Sequence, residues 1–208
     1  MTDTPSFGQR RRDIGYLWRL RMDSWGSLPM KKYSLALLID EFELASLGFQ
    51  HFKMVKELAL PPVQRNRSDP KSFEVPGITA QRTFKSQDSF TELVVRATPY
   101  PSEEIAIDRV LHADETMMLN PMRKIEIVER RAIEEFQIDG LPTIHAHEER
   151  LKTRGGTESI RLIVSNVDRV LFSLHINSRG GYCSWEELSS VAVFQAGKIR
   201  AKADFRIL

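Results

Sequence analysis

The sequence lacks the cysteine pairs, the long apolar runs and the secretory signal that are typical of disulfide-bonded, membrane or exported proteins. Its 208 residues include one cysteine, Cys183, so an intrachain disulfide is excluded. There is no run of about 18 apolar residues that could span a bilayer. Residues 1–15 are polar and basic, without the apolar core of a secretory signal. From these absences we expect a cytoplasmic protein.

The sequence also lacks the short motifs of common catalytic sites. It has no G-x-S-x-G, no Walker sequence, no H-E-x-x-H and no cysteine-rich cluster. Two glycine-rich loops, Arg154–Thr157 and Arg179–Gly181, contain arginines, and the second precedes a helix start that could bind an anion. Glu186 and Glu187 in that first turn disfavour an anion. We therefore expect no cofactor and favour a protein that is not an enzyme.

Basic charge is concentrated at the N-terminus. Residues 1–32 hold seven Lys or Arg against three Asp or Glu, whereas the whole chain has a net charge of +2. A helix from Gln9 would place Leu17, Trp18 and Arg21 on one face, and such basic amphipathic helices bind other proteins, membrane surfaces or nucleic acid. We predict contact with another protein and keep the other two partners as alternatives. The same pattern also fits a helix that packs on its own domain with a solvated arginine face. The predicted partner-binding residues of this segment are Arg10, Arg11, Arg12, Leu17, Trp18 and Arg21.

Two further stretches have helical periodicity. Apolar residues between Leu35 and Phe49, and again between Phe52 and Ala59, recur at spacings of three and four. A buried strand over Tyr33–Ile39 is the competing interpretation. The segment Pro61–Lys71 contains three prolines and polar residues, which is typical of a linker. These features predict three parts: a basic helical N-terminal arm over residues 1–62, a linker over 63–72 and an α/β sandwich domain over 73–208.

The last part alternates in the manner of β-strands. The pattern predicts a hairpin from strands 78–85 and 90–97, and a helix that Ser102 caps and that ends before Asn120. It then predicts strands at 124–130, 143–151, 159–164 and 170–176, with a weaker one at 133–138. Ser184 and Glu187 form a capping box for a final helix, which Gly197 should end. The predicted class is α+β, an antiparallel sheet with helices packed on it.

This order of elements resembles a known family. Asp139-Gly140-Leu141-Pro142 precedes a strand, a Gly-Gly hairpin and strand Val170–Ile176 follow, and Ser184-Trp185-Glu186-Glu187 starts the last helix. Over about residues 73–197 the pattern is similar to the PsbP-like α/β/α sandwich, especially its LpqN-like branch. The resemblance implies a binding, chaperone or assembly factor without a catalytic residue set. LpqN-like members are usually exported lipoproteins, and no lipobox is present here.

Three histidines are the strongest candidates for metal ligands in this sequence. His145 and His147 lie two apart on one predicted strand, with Glu149 next on the same face, and His175 joins them if the strands pair in order. Imidazoles that project together suit Zn²⁺ or another transition metal. The alternative is a polar sheet face that happens to carry histidines. A small metal-dependent enzyme that uses this site is the competing function.

The loop before the last helix contains further candidate site residues. Arg179 and Tyr182, in the loop before the last helix, are predicted to contact a partner. Cys183 with His175 could form a thiol nucleophile and base, although nothing in the sequence brings them together. The function that the sequence favours is therefore a binding or assembly protein that acts through protein–protein contacts.

Overall fold

The computed structural model describes residues 28–60, 78–87, 91–113, 126–133, 136–153, 156–179 and 184–203. Its elements in chain order are helix α1 (Leu28–Ala36), helix α2 (Glu41–Ser46), strand β1 (Phe52–Leu60), strand β2 (Thr79–Ser86), strand β3 (Thr91–Pro99), helix α3 (Glu103–Leu111), strand β4 (Glu126–Ala132), strand β5 (Ile144–Thr153), strand β6 (Gly156–Val167), strand β7 (Val170–Ser178) and helix α4 (Trp185–Ala203). No helix among these described residues is long and apolar enough to cross a membrane.

The described strands form one antiparallel sheet in the order β1-β2-β3-β7-β6-β5-β4. The pairing of β3 with β7 joins the hairpin β2–β3 to the run of strands from β4 to β7. A two-residue turn between Val167 and Val170 connects β6 to β7, and it holds Asp168 at a φ of 48°. The predicted α+β class, with helices packed on an antiparallel sheet, is confirmed.

The first face of the sheet carries the larger apolar core. Helices α1 and α2 cover it near β1 and β2, and α4 covers it along β6 and β7. Apolar side chains alternate along the strands, so every second one points into this core. Its fully buried members include Phe84, Leu93, Val95, Phe172 and Leu174 from the sheet, Leu37, Leu38 and Leu44 from the first helices, and Leu188, Val191, Ala192 and Ile199 from α4.

The second face is covered differently. Helix α3 packs across β5, β6 and β7, with Ala106 and Val110 buried against Leu162, Val164 and Leu171. Ser102 caps α3 as predicted, since its Oγ accepts a hydrogen bond from the Ile105 backbone at 3.4 Å. Beside this small apolar cluster the second face is polar.

The predicted N-terminal arm is corrected. Residues Phe52–Leu60 form strand β1, which pairs with β2, and Leu37, Leu44 and Phe52 are buried in the same core as the sheet. Residues 28–60 therefore belong to the sheet domain and not to a separate helical arm. Helical periodicity failed here because β2 supplies backbone partners along β1, and tertiary pairing overrides weak local preference.

The helix predicted over Leu35–Phe49 is broken in two. Asp40 starts α2 through a capping box: its Oδ1 accepts from the Glu43 backbone at 2.9 Å, and Glu43 Oε2 accepts from the Asp40 backbone at 2.7 Å. The D-x-x-E pattern was a helix-start signal that the longer apolar period obscured.

The predicted end of α4 and the weaker strand predicted at 133–138 were wrong. Helix α4 runs through Gly197 to Ala203, because Ala196 and Ile199 stay buried and Lys198 pairs with Asp40 at 3.8 Å. Residues 136–138 form no strand; Ile138 instead bridges Leu141 across a turn. The Ser184–Glu187 capping box of α4 is present, with bonds of 3.1 Å and 2.7 Å.

Candidate binding site on the second face of the sheet

Polar side chains gather on the second face where β2, β3 and β7 meet. Strand register places Gln81, Arg96 and Ser173 side by side in one row across these strands. The next row holds Val94 and His175. Neighbours in such rows have Cβ atoms about 5 Å apart, so their side chains form one continuous surface.

Arg96 rises from the middle of this surface. Its residue is exposed, whereas Gln81 and Ser173 beside it are buried. The Nε of Arg96 donates to Gln81 Oε1 at 2.8 Å, and Gln81 Nε2 in turn donates to Thr83 Oγ1 at 3.2 Å. Reduced hydration within the sheet surface lowers the pKa of the Arg96 guanidinium below its ordinary value. The group is still charged at neutral pH.

His175 lies on the diagonal from Arg96 and is half-buried. Burial, together with the nearby charges of Arg96 and His147, lowers the pKa of His175 to about 4. Its imidazole is therefore neutral near pH 7 and carries one N–H donor and one acceptor nitrogen.

A second polar group lies along β5. His145 Nε2 and His147 Nδ1 are 3.2 Å apart, and His147 Nε2 lies 3.6 Å from Glu149 Oε1. His147 is 6% exposed and Glu149 2%. Buried polar groups of this kind are stable only when each finds a partner, and this contact chain supplies partners along the strand.

The three predicted histidine ligands share the second face but not one point. His147 and His175 flank Leu162 of β6 in the same row, so a full strand separates them. Within the part of the chain that the structure describes, no three His, Cys, Asp or Glu side chains are placed to hold one metal ion. Metal binding by His145, His147 and His175 stays a prediction.

The predicted partner-binding residues lie elsewhere. Arg179 follows β7, where its Nε and a terminal nitrogen contact Glu158 Oε1 at 2.8 Å and 2.7 Å. Asn177 also donates to Glu158, so this end of the β6–β7 hairpin is tied together. Tyr182 and Cys183 lie outside the described residues, as do Arg10, Arg11, Arg12, Leu17, Trp18 and Arg21.

A second exposed surface lies at the β1 edge of the sheet. Phe42 on α2 is 88% exposed, and Met54 and Val55 on β1 are 41% and 54% exposed. Glu41 holds the two elements together, since its carboxylate accepts from the Met54 backbone and from Lys53, each at 2.9 Å. We refer to Phe42, Met54 and Val55 as the α2–β1 surface.

Sequence reasoning missed both Arg96 and Phe42. Arg96 is a charged residue inside the apolar strand that follows Phe90, which is a signal that a sheet face carries a polar site. Phe42 lies within the stretch from Leu35 to Phe49, where the apolar period predicted one long helix. Its exposure did not follow from the apolar period, because the capping box at Asp40 starts α2 as a separate helix.

Comparison with known proteins gives a fold and no family. No protein-family model matches the sequence, and no curated protein matches it. The extracellular domain of PknH from Mycobacterium tuberculosis is similar in structure, with a TM-score of 0.54 and 10% identity over 82% of this chain and 96% of that one. A putative uncharacterized protein from Mycobacterium smegmatis aligns with a TM-score of 0.43 and 13% identity over 77% of this chain and 97% of that one.

The prediction of a cytoplasmic protein was wrong. It is overturned by the PknH neighbour, whose domain is extracellular and shares this fold. A lone cysteine excludes an intrachain disulfide in every compartment, so it never discriminated between them. The resemblance to the PsbP-like sandwich is not tested by these comparisons and stays a prediction. The chain has the fold of the PknH extracellular domain.

Proposed function

We propose that this chain is a non-enzymatic binding domain that acts outside the cytoplasm and contacts another protein through the α2–β1 surface. The observation that carries the proposal is Phe42, a phenylalanine that is 88% exposed on a helix that the fold holds in place. Large apolar side chains that cluster at a surface mark interaction sites.

The architecture keeps Phe42 outward without using it for folding. Helix α2 is anchored by its capping box at Asp40, by Glu41 on β1 and by the buried Leu44. None of these contacts involves the phenyl ring. Burying a phenylalanine on association contributes about 1.5–3 kcal/mol, so the ring is suited to be an anchor for a partner.

The neighbouring strand adds directional groups to this apolar contact. Strand β1 is at the end of the described sheet, so one of its edges has no strand partner there. An irregularity between Met54 and Lys56 places Val55 outward beside Met54. A partner segment in extended form could pair with the edge while its side chains cover Phe42, which is a common mode of peptide recognition.

The proposed location rests on similarity in fold to the PknH extracellular domain. Arg10, Arg11, Arg12, Leu17, Trp18, Arg21, Arg179 and Tyr182 are retained in the proposal as further protein contacts. Chaperone or assembly activity is a narrower form of the same proposal.

Photo-crosslinking tests the partner contact. A benzophenone amino acid replaces Phe42 in the full chain, and the matched control carries it at Leu111, which is 65% exposed on α3. We expect a discrete protein adduct from position 42 that Val55→Lys abolishes. Equal adducts from both positions, or none from position 42, would contradict the proposal.

Cysteine labelling tests the location. In a Cys183→Ser background, Phe42→Cys should react with a membrane-impermeant maleimide in intact cells of the source organism. Labelling only after lysis would refute an extracytoplasmic site of action.

A further inference from the structure

We propose that Arg96 is the centre of a binding site for a small oxyanion, a carboxylate or phosphate group, on the second face of the sheet. Gln81 acts as its positioning residue, and Ser173 and His175 border the anion. This site is separate from the α2–β1 surface and does not depend on the function proposed for that surface.

Arg96 carries a positive charge in the middle of the second face. In the described part of the chain no carboxylate lies within salt-bridge distance of its guanidinium, and its one hydrogen bond is to Gln81. Arg82, on the neighbouring strand, shows the contrasting case. It pairs with Glu57 at 2.7 Å and donates to the Leu38 and Ile39 carbonyls at 2.7 Å and 3.1 Å. An arginine that the fold needs is saturated with partners, whereas Arg96 keeps its terminal nitrogens available.

The orientation of Arg96 is also set. Thr83 accepts from Gln81, and Gln81 accepts from the Nε of Arg96, so a chain of two hydrogen bonds holds one edge of the guanidinium. The terminal nitrogens form the remaining donors. Two parallel N–H donors in this fork match the two oxygens of a carboxylate or phosphate, which gives the bidentate geometry typical of strong charged hydrogen bonds.

The neighbours of Arg96 suit an anion. Ser173 lies directly opposite on β7 and brings a hydroxyl donor, and His175 lies one row away with a neutral ring that can donate from one nitrogen. Val94 completes the surface between them, and it is 7% exposed. A charge beside buried apolar and hydroxyl groups is less screened than one in water, so electrostatic attraction for an anion is strengthened.

Titration of the full chain with inorganic phosphate and with succinate tests the proposal. NMR spectra are recorded at each step, and a chloride salt keeps the ionic strength constant. We expect the Arg96 Nε–H and His175 ring resonances to shift together and to saturate with at least one anion. Saturation with phosphate alone identifies a phosphate site, and saturation with succinate alone a carboxylate site. No saturable shift with either anion overturns the proposal.

Variants separate this site from general attraction to basic charge. Arg96→Gln should weaken binding by about tenfold or more, since it removes a charged fork of hydrogen bonds. Gln81→Ala should weaken it less, because the charge stays while its orientation is lost. The matched control is Arg150→Gln, which removes an equal charge from an exposed residue paired with Glu129. Equal affinity in Arg96→Gln and Arg150→Gln would overturn the proposal. The resonance shifts in the unsubstituted chain decide the matter if Arg96→Gln fails to fold.

Discussion

Gln195 on α4 joins the two ends of the described chain through a pair of buried hydrogen bonds. Its side chain is 0% exposed. Its Oε1 accepts from the Ile39 backbone N–H at 2.9 Å, and its Nε2 donates to the Leu37 carbonyl at 2.7 Å. Gln195 thus satisfies two backbone groups of the turn between α1 and α2. We predict that Gln195→Leu is strongly destabilising although leucine is apolar and similar in size.

The size of this destabilisation follows from the Ile39 N–H and the Leu37 carbonyl, which lose their hydrogen-bond partners. Each buried polar group without a partner costs about 1–3 kcal/mol, so two cost roughly 2–6 kcal/mol. The leucine offsets part of this, since burying its extra apolar surface contributes on the order of 1 kcal/mol. The expected loss in the free energy of unfolding is about 1–5 kcal/mol. That is a large fraction of the 5–15 kcal/mol, roughly, that holds a typical domain folded.

Urea unfolding followed by circular dichroism measures this loss. Gln137→Leu is the matched control, because it makes the same chemical change at an exposed residue. It should alter the free energy of unfolding by no more than about 0.5 kcal/mol. A loss below about 1 kcal/mol for Gln195→Leu would refute the view that this side chain completes the turn.

The remaining predictions concern His175 and two phenylalanines. The folded-state pKa of His175, about 4, lies below the ordinary value of 6.5, so the unfolded chain binds this proton first as pH falls. Its contribution to stability is therefore complete above pH 6.5 and falls as pH drops toward 4. The loss is about 3 kcal/mol in total, so His175→Gln should flatten the unfolding free energy across this window relative to the unsubstituted chain. An identical pH profile for both chains would be the contrary result. Phe172 is 0% exposed on central strand β7, and Phe172→Ala should cost about 3–5 kcal/mol in urea unfolding. Phe42→Ser should cost less than about 0.5 kcal/mol while abolishing the proposed partner contact, and a large loss of stability would place Phe42 in the fold instead.

Local patterns were sufficient for several elements of the fold. The capping box of α4 and the alternation along β5, β6 and β7 depend on residues a few positions apart. Ser184 with Glu187 and the apolar side of β7 were therefore predictable. Strand β1 was not, because its apolar residues fit a helical period and only pairing with β2 makes it a strand.

The same distinction between local pattern and tertiary contact applies to the candidate sites. That His145 and His147 share a face follows from the two-residue repeat of a strand, and register confirms that His175 lies on that face. That Leu162 stands between His147 and His175 required the strand order. The exposure of Phe42 and the absence of an acidic partner for Arg96 in the described residues also required the tertiary structure.

The sequence by itself determined the α+β class, the antiparallel strands from β2 to β7 and the caps of α3 and α4. Each of these depends on interactions within a few residues or on a repeat along one strand. Only the tertiary structure decided that β1 completes the sheet, that α4 passes Gly197 and that Arg96, which donates to Gln81, has no acidic partner among the described residues. These outcomes arise from contacts between distant segments, such as the bonds of Gln195 to Leu37 and Ile39 more than 150 residues away.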